Sequence, residues 1–458
     1  MHPHNIPYLP SYHCLSYQKA APKLKLVNDV WQDLEGCVSE YLSKEYKEPT
    51  PAYRNRIKRT KFDNRFEPAI KGHAGLLSAF QLEDAAQSIV ENLDNIDNLG
   101  NSVYSFFNEA DQKALCDGWC GILIEFPNTE YFENQADYLA NGLSPYLVLI
   151  DRKDILNWRY AYDSQGKAEI SQVTIREKHI VPDGDFGEKV QVLYRVLHPG
   201  YYRVLEIVEN KNNYSVVVIE EGETSLNQIP LVDYSVHNSE LFCSPPPLIN
   251  LAELNIEHFQ KRSQLTEVMR KCNLPVPVRK GLIRTKDDIK KAPPVTIGPN
   301  SAIDIPADGD FYFAEPTGAA IQSTENNIEK LDAAMDRLSL AFLTGGENYK
   351  SVAEVLLSTA QTGASLKNYA ERKQSKVQEI FNYWVQYTGE VSGGTISVDE
   401  RILQSPLSPE ATSRLQDLAQ AGFLSHRSLL HLLKLGKVLS RDFDIKEELS
   451  LTEGNSEE

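Results

Sequence analysis

An α+β fold is predicted by three features of the chain. Residues 1–245 alternate short strand-like stretches with helical ones, two long amphipathic helical patterns then flank a Pro-rich insert, and the C-terminal part is helical again. The chain has 458 residues, 41% apolar and 24% charged, which is ordinary for a soluble globular protein of two or more packed units.

Near the start, Lys58, Arg59, Lys61 and Arg65 form a basic run, a type more often a solvated face or a subunit contact than a nucleic-acid site. Residues 102–117 read as a helix feeding a buried strand at 121–126. Stretches 146–150, 172–176, 190–197, 201–208 and 214–220 alternate as strands.

Within 246–272, Leu248, Leu251, Leu254, Phe259, Leu265, Val268 and Cys272 fall near the three-and-four spacing that puts side chains on one helical face. At 1.5 Å per residue this is a rod of about 39 Å. The insert at 273–316 is too rich in proline for a long helix, while 276–278, 295–297 and 311–313 favour short strands. Arg279, Lys280, Arg284, Lys286, Lys290 and Lys291 make it basic, with only Asp287 and Asp288 intervening. A solvated loop and a nucleic-acid contact surface account for that charge equally well.

The second rod, 317–343, repeats Ile328, Leu331, Met335, Leu338 and Phe342 as three then four, the seam of closely packed helices. Glu325, Glu329, Asp332 and Asp336 share another face. Lys330 and Arg337 lie together about a third of a turn from both stripes. A core helix with two solvated sides explains such a pattern; so do three different neighbours.

After it comes Thr344-Gly345-Gly346-Glu347-Asn348-Tyr349-Lys350-Ser351. It ends in Lys-Ser but has Thr344 and Tyr349 where a phosphate-cradling loop needs glycines, and no G-x-G-x-x-G stands elsewhere after a strand. ATP hydrolysis and a bound cofactor are not expected. The helix at 351–388 carries Val352, Val355, Leu356, Leu366, Tyr369, Val377, Ile380, Phe381, Trp384 and Tyr387 on one side, with Gly363 its expected bend, and a strand at 395–398 is expected to rejoin the main sheet. Ser408-Pro409 opens a helix running to Gly422, and a second short helix covers 425–436. His426 and Arg427 would suit a DNA-reading helix, but Leu429, Leu430, Leu432, Leu433 and Leu435 leave it little free surface. Residues 447–458 read as a polar tail.

The six cysteines are scattered without a disulfide framework. Cys116 and Cys120 would share a helical turn but lack further ligands at zinc spacing, so no metal is expected and buried structural thiols are. The histidines form no HExxH cluster, and His258 reads as a packed or partly exposed helix residue. Met1-His2-Pro3-His4-Asn5 does not open a secretory signal, and no apolar run approaches a membrane span. A net charge of -17 argues against gripping nucleic acid over most of the surface.

Several stretches resemble the portal proteins of tailed phages, most of all the branch long catalogued only as a phage domain of unknown function. They are Ala52-Tyr53-Arg54-Asn55-Arg56, Lys61-Phe62-Asp63-Asn64, the segment from Ala114 to Pro127, Asn157-Trp158, Ile256-Glu257-His258-Phe259-Gln260-Lys261-Arg262-Ser263 and Leu274-Pro275-Val276-Pro277. The resemblance covers nearly the whole chain and rests on element order more than on any one motif. It implies a portal-type fold: an αβ wing (1–245), a two-helix stem (246–272 and 317–343) and a small αβ clip (273–316). It also implies a tunnel loop (344–350), a long helix with a wing return strand (351–404) and a helical crown with a polar tail (405–458).

The implied activity is not enzymatic. Such a subunit joins a ring of about twelve copies at the unique capsid vertex, and double-stranded DNA is packaged and ejected through its channel. The implied partners are further copies of itself, the major capsid protein, the terminase motor and then tail adaptor or neck proteins, with no membrane; assembly occurs in the host cytoplasm.

On this reading Glu325, Glu329, Asp332 and Asp336 face the channel or its rim, where an acidic wall keeps a duplex sliding. Lys330 and Arg337 lean toward a neighbouring subunit. Gly345, Gly346, Asn348, Tyr349 and Lys350 form a loop near DNA, against the competing reading of a plain helix-to-helix turn. Alternatives are a metal-dependent DNA-processing enzyme and another virion ring such as a head–tail adaptor.

Overall fold

The computed structural model describes residues 3–78, 80–127, 143–162, 165–166, 168–210, 213–237, 240–272, 278–280, 303–305, 318–339, 352–398, 409–421, 423–435, 438–439, 443, 445 and 448. Helix and strand are mixed, as the α+β expectation has it. The chain divides into two compact units. One comprises Met1–Lys25, Ile70–Pro247 and Tyr349–Glu458, the other Leu26–Ala69 and Leu248–Asn348. Residues 26–69 thus share a compact unit with residues 248–348.

Four helices open the chain, α1 (Leu15–Trp31), α2 (Val38–Tyr41), α3 (Thr50–Arg59) and α4 (Phe66–Leu77). None is announced by a clean apolar repeat. Pro22 stands inside α1, whose buried Leu24, Val27 and Val30 lie only in its second half. In α3, Pro51 stands in the first turn, where the missing N–H costs nothing. The start of α4 is fixed by Asn64, whose Oδ1 accepts from the backbone N–H groups of Phe66 and Glu67 at 2.9 and 3.0 Å.

The first unit is built on two antiparallel sheets. After β1 (Phe80–Glu83) and α5 (Gln87–Glu91), helix α6 (Val103–Asp117) is capped by Ser102 and closed by Gly118 at φ +94°. A Cβ on Gly118 would run into the backbone of Ser244 and Pro245, so glycine is required twice over. The chain turns at once into β2 (Trp119–Glu125), the middle strand between β3 (Tyr146–Ile150) and a later strand at Leu231–Ser235. The strands β4 (Ile155–Tyr162), β5 (Ala168–Asp183), β6 (Gly187–His198), β7 (Tyr201–Asn210) and β8 (Asn213–Glu223) form a five-stranded meander, and β9 (Leu231–Ser235) returns to β2.

Trp119, Leu123, Ile150, Ile155, Val173, Ile175, Leu197, Leu231 and Phe242 make one core cluster drawn from both sheets. Gly121 permits it, since a Cβ there would meet Ile155 Cδ1 at 2.6 Å. Each strand expected from alternation is present, the meander strands longer than expected. Strands β1, β4 and β9 are additions.

The second unit contains α7 (Ile249–Cys272) and α8 (Gly318–Leu338), which pack on one another. Between them β10 (Val278–Lys280) pairs in parallel with β11 (Ile303–Ile305). Of the expected insert strands, 276–278 overlaps β10 only at Val278. The others, at 295–297 and 311–313, lie outside the described residues.

Back in the first unit, α9 (Val352–Thr388) runs unbroken through Gly363 and packs on β2 and β9. It buries Tyr369, Val377, Ile380, Phe381, Trp384 and Tyr387, as its apolar side predicts. The strand β12 (Thr395–Val398) does not rejoin the main sheet. It pairs antiparallel with β1, Phe80 opposite Val398, as a separate ribbon. The cause is local: Gly394 at φ +85° brings the chain so close to Ala85 that a Cβ would lie 2.5 Å from the Ala85 Cα, which delivers β12 to the neighbouring β1. Helices α10 (Pro409–Gln420) and α11 (His426–Leu435) follow, with Ser425 Oγ accepting from Ser428 N–H at 3.1 Å as the α11 cap. Leu429, Leu430 and Leu433 are buried, while His426 and Arg427 are exposed.

Candidate functional site

A short segment between α3 and α4 contacts both α7 and α8. Residues 60–65 lie along α7. Thr60 Oγ1 and Ser263 Oγ share a hydrogen bond of 3.0 Å, and Phe62 meets Phe259 edge to face at 5.5 Å. Asn255, wholly buried, donates to Asp63 O at 2.8 Å and accepts from Arg65 N–H at 2.9 Å. One side chain thereby satisfies two backbone groups that would otherwise be stranded in a dry contact. Arg59 pairs with Glu267 at 2.6 Å, and Gln260 donates to Tyr41 O at 2.8 Å. The basic run at 58–65 is thus partly spent on contacts inside the second unit.

Arg65 reaches across to α8. Its guanidinium stands 3.6 Å from Asp336, 3.8 Å from Asp332 and 3.2 Å from Asp63, with the side chain 40% exposed. Beside it His258 of α7, 1% exposed, places Nε2 3.3 Å from Asp332 Oδ1. Burial pushes the His258 pKa below its ordinary value, against the opposing pull of Asp332. Neither ring nitrogen meets hydrogen-bond geometry. A neutral imidazole wedged between two helices fits that environment best.

The four acidic residues read as one stripe therefore divide. Asp332 and Asp336 are engaged with Arg65, whereas Glu325 and Glu329 have no ion-pair partner among the described residues. Lys330 and Arg337 are exposed, and among the described residues Arg337 bonds only its own helix, Nε to Ala333 O at 3.1 Å. Met335 is fully buried and Leu338 37% exposed, so the apolar seam is used in its middle and open at its end. Arg279 and Lys280 fall on β10. Arg284, Lys286, Lys290 and Lys291, with Gly345, Gly346, Asn348, Tyr349 and Lys350, lie outside the described residues.

The other quoted motifs are structural in the same sense. Tyr53 donates to Leu42 O at 2.9 Å, and Arg56 holds Glu48 through two hydrogen bonds of 3.0 and 2.9 Å, keeping that carboxyl below its usual range. Trp158 lies edge to face on Trp119 at 5.9 Å. Cys116 and Cys120 are buried, which pushes both thiols well up. Among the described residues no three His, Cys, Asp or Glu side chains group as a metal site, and no helix is long and apolar enough to cross a membrane.

Residues 247–388 match a family model described as "Domain of unknown function (DUF4055)". No curated protein matches. Among solved structures, the chain is similar to one from "Neck of empty GTA particle computed with C6 symmetry", at 13% identity over 86% of this chain and 97% of that one, with TM-score 0.39. It is also similar to one from "Virion of native gene transfer agent (GTA) particle", at 12% identity over 89% and 98%, with TM-score 0.38. Likeness of that degree transfers neither activity nor partners.

Proposed function

We propose that the chain is a portal-type subunit that closes into a ring around a channel for double-stranded DNA. The observation that carries this reading is the charge left over on α8. One face of the helix is used by α7 and Arg65, while Glu325 and Glu329 on one side and Lys330 and Arg337 on another find no ion-pair partner among the described residues. A helix with unlike lateral faces suits head-to-tail closure, where every contact joins two different surfaces. On this reading Lys330 and Arg337 approach the neighbouring subunit, and Glu325 and Glu329 face the bore. Asp332 and Asp336, anchored by Arg65, add negative field there without needing to move.

A channel that bound a polyanion tightly would arrest it; a mostly acidic wall keeps the duplex centred and sliding. The net charge of -17 supports this, multiplied round a ring. The loop at 344–350 supplies the local contact, with Lys350 the phosphate-reaching group. The basic insert offers its surface to a packaging motor and later to tail or adaptor proteins. Charge reversal tests the reading. Lys330→Glu with Arg337→Glu is expected to shift the purified chain from ring to single subunit in analytical ultracentrifugation, with circular dichroism unchanged. A ring of unaltered mass would count against the assignment.

A further inference from the structure

In the first unit a lysine and an aspartate meet where both side chains are shut off from solvent. Lys373 of α9 places Nζ 2.5 Å from Oδ2 of Asp111 on α6, and each side chain is 2% exposed. The amine is held from a second direction by Leu77 O at 2.9 Å and lies 5.0 Å from the centre of the Phe80 ring. The other carboxyl oxygen, Oδ1, accepts from the fully buried Tyr234 hydroxyl at 2.6 Å. Phe107, itself wholly buried, meets Phe80 edge to face and Tyr234 at a tilt.

We propose that Lys373 and Asp111 condense to an intramolecular isopeptide bond that fastens α9 to α6. An ion pair in such a place bears the desolvation of two charges, and its attraction only partly offsets that. Burial already pushes the Asp111 carboxyl up, toward its protonated form. Transfer of one proton from ammonium to carboxylate leaves a neutral amine against a neutral acid, both fixed in position, the situation in which orientation contributes most to rate.

The Nζ lone pair attacks Cγ while the Tyr234 hydroxyl stabilises charge on Oδ1, which is retained as the amide oxygen. The Cγ–Oδ2 bond breaks, and Oδ2 departs as water with two of the three protons the ammonium began with. The third stays on the amide nitrogen. No oxidant, metal or nucleotide is needed, and the same dryness that promotes condensation keeps water from reversing it.

Mass spectrometry of the denatured full chain tests this. The wild type is expected to be lighter than its sequence by one water, and trypsin should release a branched peptide joining residues 72–113 to 373–376. Lys373→Arg, which keeps the charge but cannot form the amide, should show its full sequence mass. A wild-type chain of full sequence mass, with 72–113 recovered unlinked, would mean an ion pair only and overturn the proposal.

Discussion

Two of the places where this molecule brings a cation against carboxylates do so under opposite conditions. At Lys373 and Asp111 the contact is 2.5 Å with both side chains 2% exposed; at Arg65 the contacts to Asp332 and Asp336 are 3.8 and 3.6 Å, with the guanidinium 40% exposed. The first belongs to a core and cannot lose one member without stranding the other. The second is solvated, screened by salt and adjustable. The first contact is therefore a rigid one and the second a compliant one.

The sharpest way to break that contrast is Lys373→Ala. It leaves the Asp111 carboxyl buried with Tyr234 as its remaining described partner and also removes the proposed link to α9, so it should cost at least about 3–5 kcal/mol, read as a lowered denaturation midpoint. A loss below about 1 kcal/mol would show that water reaches the site. Next in size is Asn255→Ala, which orphans Asp63 O and the Arg65 N–H. About 1–3 kcal/mol is expected, with residues 60–65 gaining hydrogen exchange before the rest of their unit.

Arg65→Ala should cost about 1 kcal/mol or less, and even that should fade in concentrated salt. A large, salt-independent loss would mean that the Arg65 contacts behave like the buried Lys373–Asp111 pair. The smallest effect concerns His258. Its pKa is depressed by folding, so the unfolded chain binds the extra proton. The stabilising contribution is complete above the ordinary histidine range and is lost as pH falls through the folded value. His258→Gln should remove that part of the acid sensitivity, seen as a flatter dependence of melting temperature on pH below about 6.5.

Much of this was legible from sequence, and the boundary is physical. The meander strands and α6 follow from alternation and a serine cap, and the faces of α8 from a strict three-four repeat. These are local patterns, written within one element. The contacts of Arg65 were not legible, because it meets Asp332 and Asp336 only after distant segments pack, and nothing in Lys61-Phe62-Asp63-Asn64-Arg65 separates such a contact from a solvated basic run. The same holds for Lys373, which sits in the charged stretch Glu371-Arg372-Lys373 and is nonetheless buried. Strand β12 was placed by its own propensity but not by its partner, since the close approach of Gly394 to Ala85 chooses β1.

Everything functional rests on whether copies of the chain close on themselves. Negative-stain imaging of the purified full-length protein tests that most directly. The account predicts rings of uniform diameter with a central hole wide enough for duplex DNA; a field of single compact particles at every concentration tried would contradict it.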